Sequence, residues 1–182
     1  MEHGKGKKVI VLYKSHYGSA KQYAEWLAEE TGGDCFDLDS VKVEVLKDYD
    51  VVLFGGGLYA AGISGIKTFK KMYEQLKDKK VIVFGVGLSP SREKALQDVR
   101  NASFSEEMKN HIPLFLLRGA FDYKKQSFMH KMMMKVMEKK IKSKDPSQLT
   151  DDDKGLLNCM KEPVDYLDKE SIKPILEAID EM

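Results

Sequence analysis

The sequence predicts an α/β protein in which helices wrap an open parallel sheet. Three observations carry this. Short β-branched apolar runs, Lys-Val-Ile-Val-Leu-Tyr over 8–13 being the clearest, lack the alternation of a half-exposed strand and fit strands buried on both faces. Segments of helical period follow them. Strands that alternate with helices must pair in parallel, because each helix carries the chain back to the start of the next strand.

Each element has its own reason. After the strand at 8–13, residues 19–30 place Tyr23, Ala24, Leu27 and Ala28 on one helical face, and Gly32 and Gly33 end that helix as caps. A short second strand is predicted over 35–38 and a third over 51–54, which runs into Gly55, Gly56 and Gly57. Over 66–76 the period puts Ile66, Phe69, Met72, Tyr73 and Leu76 together. A fourth strand follows at 81–86, a helix at 105–111, a fifth strand at 114–121, and helices at 128–141 and 172–179. No repeat and no Pro-, Gly- or Ser-rich linker divides the chain. All 182 residues are read as one domain, with an insertion over about 122–155.

Composition narrows the classes. An apolar content of 42% excludes a disordered or fibrous chain. Net charge is +1, but the charge is unevenly placed: residues 123–144 carry eight lysines against Glu138 alone, and 145–182 carry eleven acidic residues against four basic. No apolar run approaches the roughly 18 residues that span a bilayer, and the early run at 9–13 is too short for a signal-peptide core. Cys35 and Cys159 form no CxxC, and His3, His16, His111 and His130 show no ligand spacing, so no metal is expected. The expected location is cytoplasmic.

A wrapped parallel sheet binds ligands beyond the carboxyl ends of its strands, which directs attention to three loops. The first is Ser15-His16-Tyr17-Gly18-Ser19-Ala20. It opens a helix, where unpaired N–H groups and the positive dipole end favour an anion. Gly18 lets the backbone close around it. The competing reading makes Ser19 a simple helix cap. No GxxxxGK[ST] is present, so this is not a P-loop, and the loop lacks the acidic cluster of a phospho-acceptor site.

The second loop, 55–65, contains a formal GxGxxA match in Gly55, Gly57 and Ala60. It follows the third strand and has no acidic residue at a following strand end, which argues against a dinucleotide fingerprint. Gly57, Leu58, Tyr59, Ala60 and Gly62 instead suit a backbone lying beside a flat ring, with Tyr59 stacking on it. The other reading is a Gly-rich connection with Tyr59 half in the core. The third loop, from Gly87 and Leu88 to Lys94, is placed for a ring-edge contact through its backbone.

Taken together, these loops resemble those of the flavodoxin superfamily over residues 8–121. The resemblance implies a three-layer sandwich with five parallel strands in the order 2-1-3-4-5, and FMN as cofactor. The family's phosphate loop, approximately [ST]-x-[ST]-G-x-[ST], is matched by Ser15 and Gly18. Tyr17 and Ala20 stand at hydroxyl positions, and Ser19 supplies a hydroxyl nearby. The implied FMN contacts are Ser15, His16, Tyr17, Gly18, Ser19 and Ala20 at the phosphate, with Gly57, Leu58, Tyr59, Ala60, Gly62, Gly87 and Leu88 at the ring. No aromatic residue lies between Gly87 and Asn101, so the ring is expected to be covered on one face. No acid or base is named.

Within the superfamily, Gly119-Ala120, then Tyr123, then an aromatic and Met/Lys-rich helix at 128–141 resemble the quinone-dependent protoporphyrinogen dehydrogenases. That resemblance implies an oxidoreductase acting on a porphyrinogen or similar substrate with a quinone acceptor. The family's R-x-x-V-x-Y-T-D-W stretch has no counterpart at 144–153, which lacks Trp and Tyr. The alternative is an electron carrier between protein redox partners. At helical spacing Phe128, Met129, Met132, Met133, Val136, Met137 and Ile141 form one stripe, with Lys131, Lys135, Lys139 and Lys142 on the other side. This helix has three readings: core packing, a cover over the flavin edge, or peripheral contact with the inner face of a membrane through Phe128–Ile141. No nucleic acid is expected, because no aromatics interleave with the lysines.

Overall fold

The computed structural model describes residues 3–4, 6–59, 62–90 and 92–181. The chain divides into two compact units, one of residues 1–118 with 168–182 and the other Gly119–Leu167.

The first unit is built on β1 (Val9–Lys14), β2 (Asp34–Asp37), β3 (Val51–Tyr59), β4 (Gly62–Ile63), β5 (Lys80–Gly87) and β6 (Leu114–Arg118). The path is β2-β1-β3-β5-β6, parallel throughout, with β4 antiparallel against the end of β3. Counted among themselves, the five parallel strands run 2-1-3-4-5, as expected. Both faces are covered. Ile10, Leu12, Val52, Phe54, Val81 and Val83 point into a core with Ile66, Phe69, Tyr73, Val99 and Met108. Those helical residues come from α2 (Ile66–Tyr73), α3 (Glu93–Ser103) and α4 (Glu106–His111). Phe54 and Phe69 stack at 4.6 Å. The alternate residues Val9, Val11, Leu53, Ile82 and Phe84 are buried on the opposite face, where α1 (Ser19–Thr31) packs on β1 and β3 and meets α7 (Lys173–Glu181). Burial on both faces explains why these strands read as continuous apolar runs.

Several boundaries differ from the sequence reading. The Gly-rich stretch after residue 54 is not a loop: β3 continues to Tyr59, with Gly55, Gly56 and Gly57 paired to Phe84, Gly85 and Val86. These glycines serve close approach. A Cβ on Gly55 would stand 2.0 Å from the Phe84 ring, and one on Gly56 would stand 2.4 Å from the Ser64 carbonyl oxygen. Helix α3 was not predicted; only Val99 and Ser103 of it are buried, and few of its residues are apolar. The strand expected over 114–121 breaks at Gly119. Its partner β5 ends at Gly87, opposite Arg118, and Ala120–Phe121 pairs elsewhere. Helix α2 stops at Tyr73, and Leu76 is buried from the turn that follows.

The second unit spans Gly119–Leu167. Strand β7 (Ala120–Phe121) pairs antiparallel with β8 (Val164–Asp165). Between them lie α5 (Phe128–Lys142) and α6 (Asp151–Cys159), which pack together. Asp151, Asp152 and Asp153 form the first turn of α6, where acids complement the dipole. Thr150 and Asp153 close a capping box there, and Lys144 pairs with Asp153 at 2.8 Å.

Candidate functional site

Strands β1 and β3 are neighbours, with Tyr13 opposite Gly55 and Lys14 opposite Gly56. Their following connections run to opposite faces of the sheet, which opens a crevice where the two strands end. The first loop fills one side of it. Gly18 takes φ +97°, a left-handed value that glycine adopts without steric cost, and its N–H donates to Ser15 Oγ at 3.1 Å. Gly18 is itself the N-cap of α1. The reading of Ser19 as cap is therefore corrected: Ser19 is the first helical residue.

Having no side chain, Gly18 caps no N–H group, and the first turn holds no acidic residue. The positive end of a 13-residue helix thus faces the crevice without a built-in anion. Space above Gly18 is open, with nothing within 4 Å of where a Cβ would stand. Ala20 is buried, so it offers its backbone rather than its side chain. Lys14, at the end of β1, is clamped by Asp39 and Asp37. The Asp39 hydrogen bond is the largest cause that holds its ammonium pKa above the ordinary lysine value.

Across the crevice the end of β3 supplies Gly57, Leu58 and Tyr59. The Tyr59 ring leans over Gly57, 3.4 Å from the position of a Cβ. Burial, and then Tyr17, push its phenol up to about 12. His16 joins the two sides: its ring meets Tyr59 edge-on at 5.6 Å and 81°, and its Nε2 lies 3.4 Å from Ser64 Oγ. Tyr17 stands exposed beside it, with ring centroids 6.3 Å apart. The structure therefore brings His16, Tyr17, Tyr59 and Ser64 into one cluster. Gly62 pairs with Tyr59 in the β3–β4 hairpin. Ala60 lies outside the described residues.

Leu58 and Gly87 also meet. The Leu58 side chain covers Gly85 and Gly87, at 2.8 and 3.0 Å from their notional Cβ positions, and packs against the core. What Leu58 presents to the crevice is backbone. Leu88 is fixed by a residue that sequence reasoning missed. Arg118 closes β6 and donates from Nε to the Leu88 carbonyl oxygen at 2.9 Å, while its own carbonyl accepts from Tyr23 Oη at 2.7 Å. The available signal was an arginine ending an apolar strand at the ligand edge. Ser64 was likewise within a named loop but not singled out.

The family model of the flavodoxin domain matches residues 10–148. The chain belongs to the flavodoxin domain family. FMN is the cofactor of this domain. An uncharacterised protein of Methanocaldococcus jannaschii is 34% identical over 53 residues, which is 29% of this chain and 35% of that protein, so the chain spans about a third of the length of that curated relative. A flavodoxin from the domain Archaea is similar over 94% of this chain and 98% of its own, at 17% identity and a TM-score of 0.43. A flavoprotein of Bacteroides eggerthii is 18% identical over 62% of this chain and 88% of its own, at 0.47. A flavoprotein of Lactobacillus acidophilus, solved in complex with FMN, is 16% identical over 62% and 93%, at 0.40.

The residues present in this flavodoxin domain fit a flavin mononucleotide. The uncapped start of α1 and the open turn at Gly18 suit a phosphate, and the Gly57–Tyr59 edge suits a planar ring. Among the described residues no helix is long and apolar enough to cross a membrane.

Proposed function

We propose that this chain is an FMN-dependent oxidoreductase whose cofactor lies in the crevice between the ends of β1 and β3. The observation that carries the reading is the uncapped, acid-free start of α1 behind the left-handed Gly18, set beside Tyr59 and His16. Ser15, Ser19 and the backbone of residues 16–20 would hold the phosphate. Gly57 and Tyr59 would lie against the ring, and the loop at Gly87 and Leu88, steadied by Arg118, would meet its edge. Bound there, FMN would supply the redox chemistry between a reduced donor and an acceptor. The protein's part is to anchor it, orient it and shield one face.

In its finer form the reading is a dehydrogenase of a protoporphyrinogen-like substrate with a quinone acceptor. It draws support from Gly119-Ala120, Tyr123 and the Met/Lys-rich helix. The alternative is an electron carrier between proteins.

Adding FMN to the purified full chain is expected to give the two-band yellow spectrum and to quench flavin fluorescence. Riboflavin, which lacks the phosphate, is expected to bind about a hundredfold more weakly, since two charge-assisted hydrogen bonds are at stake. Gly18→Ala is expected to weaken FMN while leaving riboflavin unchanged. Equal affinity for the two flavins, or no uptake of either, would refute the proposed site. Quinone-dependent oxidation of protoporphyrinogen supports the enzyme; rapid reduction by a ferredoxin-type protein without small-molecule turnover supports the carrier.

A further inference from the structure

Helix α5 of the second unit is amphipathic the wrong way round. A helix of a folded protein normally buries its apolar stripe. Here Ile141 is buried, while Phe128, Met129, Met132, Met133, Val136 and Met137 are 45 to 76% exposed. Six large apolar side chains thus face outward along a helix about 22 Å long. Contiguous exposed apolar surface of this kind marks an interaction site.

The charge beside the stripe says what kind. Residues 123–144 hold eight lysines and one acidic residue. Lys124, Lys125, Lys135, Lys139, Lys140 and Lys142 are exposed. Glu138 pairs with Lys142, and Lys144 pairs with Asp153. Among the described residues Lys135, Lys139 and Lys140 have no carboxylate partner. An isologous contact with a second copy would set two such segments against each other, eight lysines on each side, and is opposed by like charge. A surface both apolar and densely anionic answers both features at once. Four of the six outward side chains are methionines, whose unbranched thioethers adapt to a fluid boundary and specify no single complementary shape.

We infer that α5 docks the protein on an anionic lipid surface. The stripe enters the boundary between headgroups and acyl chains, and the lysines lie among the lipid phosphates. At 15 residues the helix lies in the interface and does not cross it. The inference does not depend on the flavin: it rests on the outward face of α5 and holds for the chain with or without FMN.

The test is flotation of the full chain with phosphatidylglycerol vesicles and with phosphatidylcholine vesicles, each with and without added FMN. Binding to phosphatidylglycerol is expected, weakened at least tenfold between 0.1 and 0.5 M salt, with little binding to phosphatidylcholine. Each surface lysine strengthens attraction about fivefold, so Lys135→Gln, Lys139→Gln and Lys140→Gln together should reduce partitioning about a hundredfold. Phe128→Ser, Met132→Ser and Val136→Ser together should abolish it at low salt. Circular dichroism matching the unaltered chain shows that both variants fold, since all six positions are exposed. Absence of phosphatidylglycerol binding, equal binding to both lipids, or indifference to the serine variant overturns the inference. So does a dimer in solution that the serine variant dissociates, or an acidic amphipathic peptide that binds the stripe when vesicles do not.

Discussion

Single residues set the close approaches that the sheet and the crevice need. Gly55 is the most demanding: the Phe84 ring occupies the place of any Cβ there. Gly55→Ala is therefore expected to destabilise the protein by about 3 kcal/mol through overpacking, read from the urea midpoint with an unchanged m-value. The phenols offer a second measurement. Tyr59 is pushed up to about 12 by burial, and Tyr49 reaches about 12 through its hydrogen bond to Asp34. The folded state thus favours neutral Tyr59. Its contribution to stability is fully present below about pH 10, the ordinary tyrosine value, and is lost as pH rises toward 12. In a phenolate absorbance titration, Tyr49 and Tyr59 should form a late class that ionises toward pH 12. Tyr59→Phe should remove one group from that late class.

At the scale of the element, the same local signal led to different outcomes. The helix at Ser19–Thr31 was legible in its period and in Gly32, which caps it at φ +62°. Its start was legible too, although the cap proved to be Gly18. The Gly55–Gly57 run misled, because glycine serves both loops and crowded strands, and only the partner strand decides which. The stripe on α5 was legible as a stripe, but its direction was not. Periodicity shows that apolar residues share a face and says nothing about what lies opposite. This gives a contrast to measure. Ile141→Ala is expected to cost about 2 to 4 kcal/mol, and Val136→Ala, on the exposed arc, to fall within about 0.5 kcal/mol. Paired thermal melts of the two variants check it.

For the molecule as a whole, exposed ion pairs set the pH range of stability. Asp153 and Asp180 are held below the ordinary aspartate value, Asp153 first by Lys144 and Asp180 first by the Gly4 N–H. What they contribute is present above that value and is lost as pH falls through their lowered pKa. Lys14, Lys77 and Lys169 are raised by hydrogen bonds to carboxylates. Their contribution is complete below the ordinary lysine value and is lost as pH rises through the raised one. Urea midpoints are expected to be flat from about pH 5 to 9 and to fall on both sides, less steeply in 0.5 M salt because exposed pairs are screened. By itself the sequence determined the parallel α/β class, the strand-loop-helix order and the isolated block of lysines, because periodicity, capping and charge are local properties of the chain. Only the tertiary structure decided that the glycines after residue 54 are packed strand, that Arg118 holds the Leu88 loop, that His16 meets Tyr59, and that the α5 stripe faces outward. Each of these depends on which distant segment lies alongside, and pairing between strands or packing against a helix leaves no periodic trace in the segment it acts upon.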